Sequence, residues 1–195
     1  MTDWAENVGI PKTLRNEAID ESLLPEQVIV WAEKLPASAR ASGGMLISGP
    51  PGSGKSVSAA WMLLELHRKT WFTSNGQPVA HSGRIGARFI RCHDVINAIT
   101  TKNLCDLRRW AEIDTLVIDD WREELVAWIR DGLDDLVDRR WGEGRFTIVT
   151  TNSLTGGSHP GSFEKKFPRA ASRLLDARGP GLVEINRSDL RRRKM

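Results

Sequence analysis

A glycine-rich segment with one lysine and two serines, residues 49–56, has the residue types that bind a nucleotide phosphate. Gly49, Gly54, Lys55 and Ser56 fit the pattern G-x-x-x-x-G-K-[ST]. Glycines allow successive backbone N–H groups to converge on phosphate oxygens at the positive end of a helix dipole. Lys55 is then placed to reach the β- and γ-phosphates, and the Ser56 hydroxyl to bind Mg²⁺. The segment therefore predicts a site for ATP or ADP with Mg²⁺.

The residues on either side give this segment the setting that a phosphate loop requires. Residues 45–47 form a short apolar run, as expected of a buried parallel strand, and residues 57–68 carry apolar side chains at helical spacing. A glycine- and proline-rich turn could have the same pattern by chance, but such a turn would not require a strand before it and a helix after it. The candidate phosphate-binding residues are Gly49, Pro50, Pro51, Gly52, Ser53, Gly54, Lys55, Ser56 and Val57.

Acidic and amide side chains follow two further apolar runs. The run 115–118 ends in Asp119 and Asp120, and the run 146–150 is followed closely by Asn152. Because the carboxyl ends of parallel strands meet at one edge of a sheet, where such folds bind ligands, we expect these side chains to lie beside the phosphate loop. A strand that ends in two aspartates could by itself be a simple turn, but its position after a phosphate loop favours a role in the site.

The alternation of strands and helices predicts a three-layer α/β domain with a central, mostly parallel sheet and little or no C-terminal lid domain. Predicted strands cover residues 45–47, 88–92, 115–120, 146–150 and 182–185, and predicted helices cover residues 25–35, 57–68, 93–101, 103–112, 123–140 and 163–176. We divide the chain into an N-terminal arm and helix (1–44), a P-loop core (45–186) and a basic C-terminal tail (187–195). Core positions are predicted for Leu104, Trp121, Trp128 and Trp141.

Composition sets broad limits. At 195 residues the chain is long enough for one α/β domain and too short for two substantial ones. Arginine supplies 20 of the 28 basic residues, and the stretch 191–194 is wholly basic, so a nucleic acid partner and a merely solvated tail both remain open. Cys92 and Cys105 have no metal-site or disulfide spacing, which fits a reducing cytoplasm. No apolar run has membrane-spanning length, so we expect no membrane partner.

Five features in order resemble the AAA+ ATPases. They are the phosphate loop, Leu-Val-Ile-Asp-Asp at 116–120, Thr-Thr-Asn at 150–152, Arg-x-x-x-Arg-Leu at 169–174, and Ser-x-x-Arg at 188–191. More narrowly, the chain looks like the bacterial helicase-loader branch (DnaC-like), which also contains the ATPase helpers of certain transposons (IstB-like). The first two features are shared by many P-loop proteins, so the branch assignment depends on the last three.

The resemblance implies roles for the acidic and amide residues. Asp119 is expected to hold Mg²⁺ through water. Asp120 stands where the family usually has a catalytic Glu or Asp that polarises the attacking water. Asn152 resembles the polar sensor that orients this water against the γ-phosphate. The segment at Ile10 and Pro11 is similar to the one that closes over the base.

The resemblance also implies two kinds of arginine contact with nucleotide. Arg173, with Arg169 as the second choice, resembles the arginine finger that reaches into a neighbouring subunit's site. Arg191 resembles the second sensor, which contacts nucleotide in its own chain. Since a finger supplied in trans can be worth about 10³–10⁵ in rate, we expect an ATPase that is weak as a monomer and active as a homo-oligomer.

The function expected from the family is DNA replication, as a helicase loader or DNA-remodelling helper for a phage or mobile element. The expected partners are single-stranded DNA and a replicative helicase or transposase. Three departures keep alternatives open: only 44 residues precede Met45, the insertion used on DNA is shortened to residues 103–113, and Asp120 is one methylene shorter than Glu. The alternatives are a transposition helper ATPase, a non-hydrolysing ATP-dependent switch and a small-molecule P-loop kinase.

Overall fold

The computed structural model describes residues 2–17, 21–34, 42–71, 86–122, 125–156 and 159–186. Its five strands form one sheet in which all neighbouring strands are parallel, in the order β2-β3-β4-β1-β5. Their bounds are Gly43–Ser48 (β1), Ala87–Arg91 (β2), Thr115–Trp121 (β3), Phe146–Thr151 (β4) and Gly181–Glu184 (β5). The predicted three-layer α/β fold is therefore confirmed, and the five described strands are all parallel.

Helices cover both faces of this sheet. The first face is covered by α1 (Thr2–Asn7), α2 (Lys12–Glu17), a 3₁₀ helix (Glu21–Leu23), α3 (Glu26–Lys34) and α4 (Lys55–Trp71). The second face is covered by α5 (Cys92–Thr100), α6 (Leu104–Glu112), α7 (Ala127–Gly142), α8 (Phe163–Lys166) and α9 (Pro168–Leu174). Side chains alternate along each strand, so Met45 and Ile47 join the first core while Leu46 joins the second. Burial on both faces explains why these strands are continuous apolar runs.

The N-terminal arm of the chain contains two short helices. The arm buries Ala5, Val8 and Ile10 in the same core as α4. The Val8 carbonyl accepts a hydrogen bond of 2.7 Å from the Phe89 N–H, and Arg88 donates to the Asn7 carbonyl at 2.8 Å. Because β2 is an edge strand, this segment covers backbone groups that would otherwise be open to another chain.

The helix predicted over residues 163–176 is interrupted. The structure has two helices, α8 and α9, with Phe167 between them at φ −132° and ψ 64°. Pro168 explains the break because proline lacks an N–H and disfavours the helical conformation in the residue before it. The helix that we predicted to start at Glu123 starts at Ala127 in the structure. Residues 123–124 are not among the described residues.

Two predicted core positions are wrong. Leu104 is 71% exposed and Trp128 is 53% exposed, whereas Trp121 is buried and Trp141 is half-buried. Leu104 and Trp128 both stand in the first turn of their helix, where none of the described elements covers them. Helical periodicity predicts which side of a helix faces inward but not where along the helix the contact begins.

A buried arginine joins the second helical layer to the sheet. Arg140 of α7 is fully buried and donates hydrogen bonds to the Thr147 hydroxyl (2.9 Å) and to the carbonyls of Trp110 (2.5 Å), Ile113 (2.8 Å) and Phe146 (2.6 Å). Burial lowers the pKa of Arg140 to about 9, so the guanidinium is still charged at neutral pH.

No described helix combines the length and apolar character needed to cross a bilayer.

Candidate phosphate-binding site

The three predicted groups of site residues meet at one edge of the sheet. The phosphate loop leaves β1, the two aspartates end β3, and Asn152 follows β4. Strand β4 lies between the other two, and its residue Thr151 is in register with Ser48 on one side and Trp121 on the other. The edge therefore places the loop, the carboxylates and the amide next to one another.

The phosphate loop needs glycine at several positions. A Cβ on Gly49 would lie 2.4 Å from the Ile185 carbonyl oxygen, and Gly52 and Gly54 have φ of 77° and 100°. Side chains are disfavoured in that region of φ, whereas glycine adopts it without strain. Helix α4 begins immediately afterwards, at Lys55, so its unpaired N–H groups face the loop.

Lys55 lies over the loop itself. Its Nζ atom donates to the carbonyls of Gly49 at 2.7 Å and Pro50 at 2.8 Å, and the residue is 8% exposed. The Lys55 ammonium is attracted more strongly to an anionic phosphate oxygen than to a neutral carbonyl oxygen, because both partners then carry a full charge. A phosphate group that enters the loop therefore offers this ammonium better acceptors than the two carbonyls.

The two predicted metal ligands lie close together. Asp119 is 8% exposed and accepts a hydrogen bond from Thr150 Oγ1 at 2.7 Å, and the Ser56 hydroxyl is near enough to lower the pKa of its carboxyl. Burial raises the pKa of Asp119 and the Asp120 charge adds to this rise, whereas the Thr150 hydrogen bond and the nearby Ser56 hydroxyl oppose it. A carboxylate and a hydroxyl beside a phosphate loop fit Mg²⁺, which takes oxygen ligands and retains waters.

Asp120 is exposed next to this cluster. Its φ of 58° is left-handed, its side chain is exposed, and the pairing of β3 with β4 is irregular between Ile118 and Trp121. Aspartate is one of the few residues with a side chain that tolerates this conformation. The backbone turn therefore separates the two carboxylates, with Asp119 buried among hydroxyls and Asp120 in solvent.

Thr150 is the residue of this site that sequence reasoning did not single out. Its hydroxyl donates to Asp119 and accepts from the Asp120 N–H at 2.9 Å, so one side chain on β4 fixes both acidic residues. The sequence does contain an indication of this role, because Thr150 places a hydroxyl two residues before Asn152 in a strand whose other residues are apolar or threonine.

The loop after β4 is tied to its neighbours by polar side chains. Thr151 Oγ1 donates to the Trp121 carbonyl at 3.1 Å, and the Thr155 hydroxyl contacts Ser48 Oγ at 3.3 Å and donates to the Glu184 carboxylate. Asn152 lies between these threonines with its side chain exposed. These contacts fix the backbone on both sides of Asn152 and leave its amide open at the sheet edge.

The two candidate finger arginines lie near the amino ends of the strands, at the opposite edge of the sheet from the phosphate loop. A Cβ on Gly44, near the start of β1, would be 2.4 Å from the Cα of Leu174, the residue after Arg173. The chain from Gly44 to the end of β1 at Ser48 spans about 13 Å, at roughly 3.3 Å per residue. Arg169 is one helical turn before Arg173 on α9. Neither arginine is therefore grouped with the phosphate loop of its own chain, and Arg191 lies outside the described residues.

No protein-family model and no curated protein matches this chain, whereas many solved structures do. A crystal structure of DnaI is 18% identical, with 93% of this chain and 89% of that chain covered and a TM-score of 0.58. The DnaC helicase loader is 22% identical, with 82% and 86% covered and a TM-score of 0.53. The replication initiator DnaA bound to AMPPCP and single-stranded DNA is 15% identical, with 84% and 45% covered and a TM-score of 0.55.

These similarities show that the chain has the fold of the AAA+ P-loop proteins. Within that class its structural neighbours include DnaC and DnaI, each of which it matches over most of both chains. The chain spans less than half the length of the DnaA structure. The predicted resemblance to the helicase-loader branch is thus confirmed at the level of the fold.

Proposed function

We propose that this protein binds ATP with Mg²⁺ at the phosphate loop and hydrolyses it at sites completed between subunits. The observation that carries the proposal is the buried Asp119 carboxylate, held by Thr150 beside a loop whose lysine already faces inward. A buried carboxylate with a raised pKa gains most from a cation, and a nucleotide phosphate in the loop places one there.

Each residue of the edge has a task in this scheme. Lys55 exchanges its carbonyl partners for the β- and γ-phosphate oxygens, and the backbone N–H groups around Gly52 and Gly54 bind the remaining phosphate oxygens. Ser56 and Asp119 hold Mg²⁺, which supplies charge neutralisation when bound. Asp120 and Asn152 orient the attacking water, because both side chains are exposed at the edge beside the loop.

The arginines act in trans. Arg173, with Arg169 as the second choice, lies at the sheet edge opposite the phosphate loop, which supports contact with nucleotide bound by a neighbouring subunit. Arg191 is proposed as the second sensor of the same chain. Isolated subunits then hydrolyse ATP slowly, because phosphoryl transfer depends on charge neutralisation that a single subunit lacks.

The partner and process are proposed from the fold. The similarity to the DnaC helicase loader, and to a DnaA structure that contains single-stranded DNA, supports a role in DNA replication as a helicase loader or DNA-remodelling helper. Single-stranded DNA and a replicative helicase are the expected partners. A transposition helper ATPase is the second candidate, since the same branch contains both kinds of protein.

The test is ATP hydrolysis by the purified protein across a concentration series, with and without single-stranded DNA. We expect a rate per subunit that rises with protein concentration and is lost in Lys55→Ala and Arg173→Ala, while Arg173→Ala still binds ATP. Hydrolysis that is independent of concentration and unchanged in Arg173→Ala would contradict a shared site. Tight ATP binding without turnover, even with DNA and helicase present, would indicate a nucleotide switch.

A further inference from the structure

The side chain of Arg173 is held on two sides by residues of α7. Its Nε atom donates to Asp138 Oδ1 at 2.7 Å, and its guanidinium carbon lies 4.1 Å from the centroid of the Trp141 ring. The Arg173 hydrogen bond lowers the pKa of Asp138, so this carboxylate is ionised at neutral pH. Among the described residues, none accepts a hydrogen bond from the two terminal nitrogens of Arg173. The guanidinium is thus fixed in direction while its outer end remains available.

Arg169 is held differently although it lies on the same face of α9. Its terminal nitrogens donate to Asp135 at 3.1 Å and to Asp138 at 3.3 Å. An anion that approached Arg169 would have to displace carboxylates from both ends of its fork. An anion that approached Arg173 could take both terminal nitrogens and leave the Nε bond to Asp138 in place.

The residues that hold Arg173 are themselves anchored. Trp141 Nε1 donates to Asp176 Oδ2 at 3.2 Å, and the Arg178 guanidinium carbon lies 4.5 Å from the centroid of the Trp141 ring. Helices α7 and α9 are joined by a hydrogen bond of 3.1 Å from the Ala170 N–H to the buried Asp134. A side chain held on packed helices loses little further conformational entropy when it binds an anion.

We propose that Asp138 and Trp141 are positioning residues for Arg173, and that they present its two terminal nitrogens to a phosphate oxygen of the nucleotide bound by a second copy of this chain. The inference rests on the proposed function and extends it in two ways. It selects Arg173 over Arg169 as the residue that contacts the phosphate. It also assigns a role to an acid and an aromatic residue that lie far from the phosphate loop of their own chain.

The planar guanidinium explains why two supports are needed. The Nε bond to Asp138 fixes rotation within the guanidinium plane, and the Trp141 ring fixes the plane itself. A pair of terminal nitrogens in a fixed plane matches two oxygens of one phosphate. Misplacement of a reacting or stabilising group by about 1 Å can cost about 10²-fold in rate, so loss of either support affects the rate without removing the charge.

The test compares Asp138→Ala with Asp135→Ala, a matched control that removes an acid of the same helix whose one partner among the described residues is Arg169. ATP hydrolysis is measured at protein concentrations where assembly, followed by sedimentation, is complete. We expect Asp138→Ala to lower kcat about 10- to 100-fold, with the KM for ATP and the assembly midpoint unchanged, and Asp135→Ala to match wild type. Trp141→Leu should lose about tenfold, and Trp141→Phe should recover most of that loss.

A double-mutant cycle separates positioning from a general structural role. Because Asp138 acts through Arg173, Asp138→Ala should have no further effect on kcat in the Arg173→Ala background, but should keep its full effect in the Arg169→Ala background. An increase in kcat in Asp138→Ala, equal losses in Asp135→Ala, or additive losses with Arg173→Ala would each overturn the positioning role and leave the proposed function standing. Wild-type protein that assembles but never hydrolyses ATP would overturn both.

Discussion

Thr150→Val removes the hydroxyl that links the two acidic residues of the site while the side chain stays nearly the same size. In the folded protein this hydroxyl donates to the Asp119 carboxylate at 2.7 Å and accepts from the Asp120 N–H at 2.9 Å. Thr150 is 1% exposed, so water cannot easily replace either bond. A bond to a charged group is worth about 1.5–3 kcal/mol and a neutral one about 0.5–1.5 kcal/mol. We therefore expect a loss of about 2–4 kcal/mol in the free energy of unfolding.

The same substitution changes the pH dependence of the site. The pKa of Asp119 is already raised by burial, and the Thr150 bond is one of the interactions that limit the rise. A carboxyl with a raised pKa binds its proton more tightly in the folded state, so stability falls as pH rises from the unfolded pKa of about 4 through the folded pKa. Thr150→Val moves the folded pKa of Asp119 upward, so this fall extends to higher pH.

Mg²⁺ binding should respond in the opposite direction to pH. The metal needs the ionised carboxylate, so a higher pKa of Asp119 weakens Mg²⁺ binding most at low pH. Loss of a hydrogen-bond partner of a metal ligand commonly costs 10- to 100-fold in affinity, and we expect about tenfold more Mg²⁺ at half-saturation for Thr150→Val at pH 6, with a smaller difference at pH 8.

The assay is Mg²⁺-dependent binding of a fluorescent ATP analogue at both pH values, beside urea unfolding. Thr150→Ser retains the hydroxyl and should restore both readouts. Thr151→Val is the matched control, because the partners of Thr151 in the described part of the chain, the Trp121 carbonyl and Ser153, are neutral. The reasoning is refuted if Thr150→Val and Thr151→Val require the same Mg²⁺ concentration at pH 6.

Three further substitutions and one control variant test the packing of the fold. Arg140→Met leaves the buried carbonyls around the former guanidinium without donors and should lower the free energy of unfolding, measured in urea, by about 3–6 kcal/mol. An unchanged free energy of unfolding would show that Arg140 does not hold these carbonyls. Gly44→Ala forces a methyl group to within 2.4 Å of the Leu174 backbone and should cost about 1–3 kcal/mol, whereas Gly142→Ala, with no atom within 4 Å, should be neutral or slightly stabilising. Trp128→Ser should lower the free energy of unfolding by less than about 3 kcal/mol, the lower end of the range for truncation of a fully buried aromatic residue, because more than half of the side chain is exposed.

Most of the fold could be predicted because the apolar runs and the turn residues indicate the same elements. The runs at residues 45–47 and 115–118 become strands buried on both faces, and Gly49 and Gly54 begin and end a loop that admits no larger side chain at Gly49. The strands that precede the phosphate loop, Asp119 and Asn152 are parallel, and this direction alone brings the three groups to one edge of the sheet.

The remainder depends on tertiary contacts that local sequence does not encode. The left-handed turn at Asp120 depends on the Thr150 hydroxyl, thirty residues further along the chain. Likewise, Arg140 reads as the end of an amphipathic helix, yet it is buried and donates hydrogen bonds to five groups of other segments. Hydrophobic periodicity carries no information about such long-range polar partners.

The central claim is that one subunit supplies the phosphate loop and another supplies Arg173. Lys55→Ala and Arg173→Ala are each expected to be inactive alone, for different reasons. Mixed in equal amounts, they should recover activity, because the intact loop of the Arg173→Ala subunit can meet the intact arginine of the Lys55→Ala subunit. ATP hydrolysis by this mixture is the most direct test. Recovery of a substantial fraction of the wild-type rate is the predicted result, and a mixture as inactive as its two components would contradict the account.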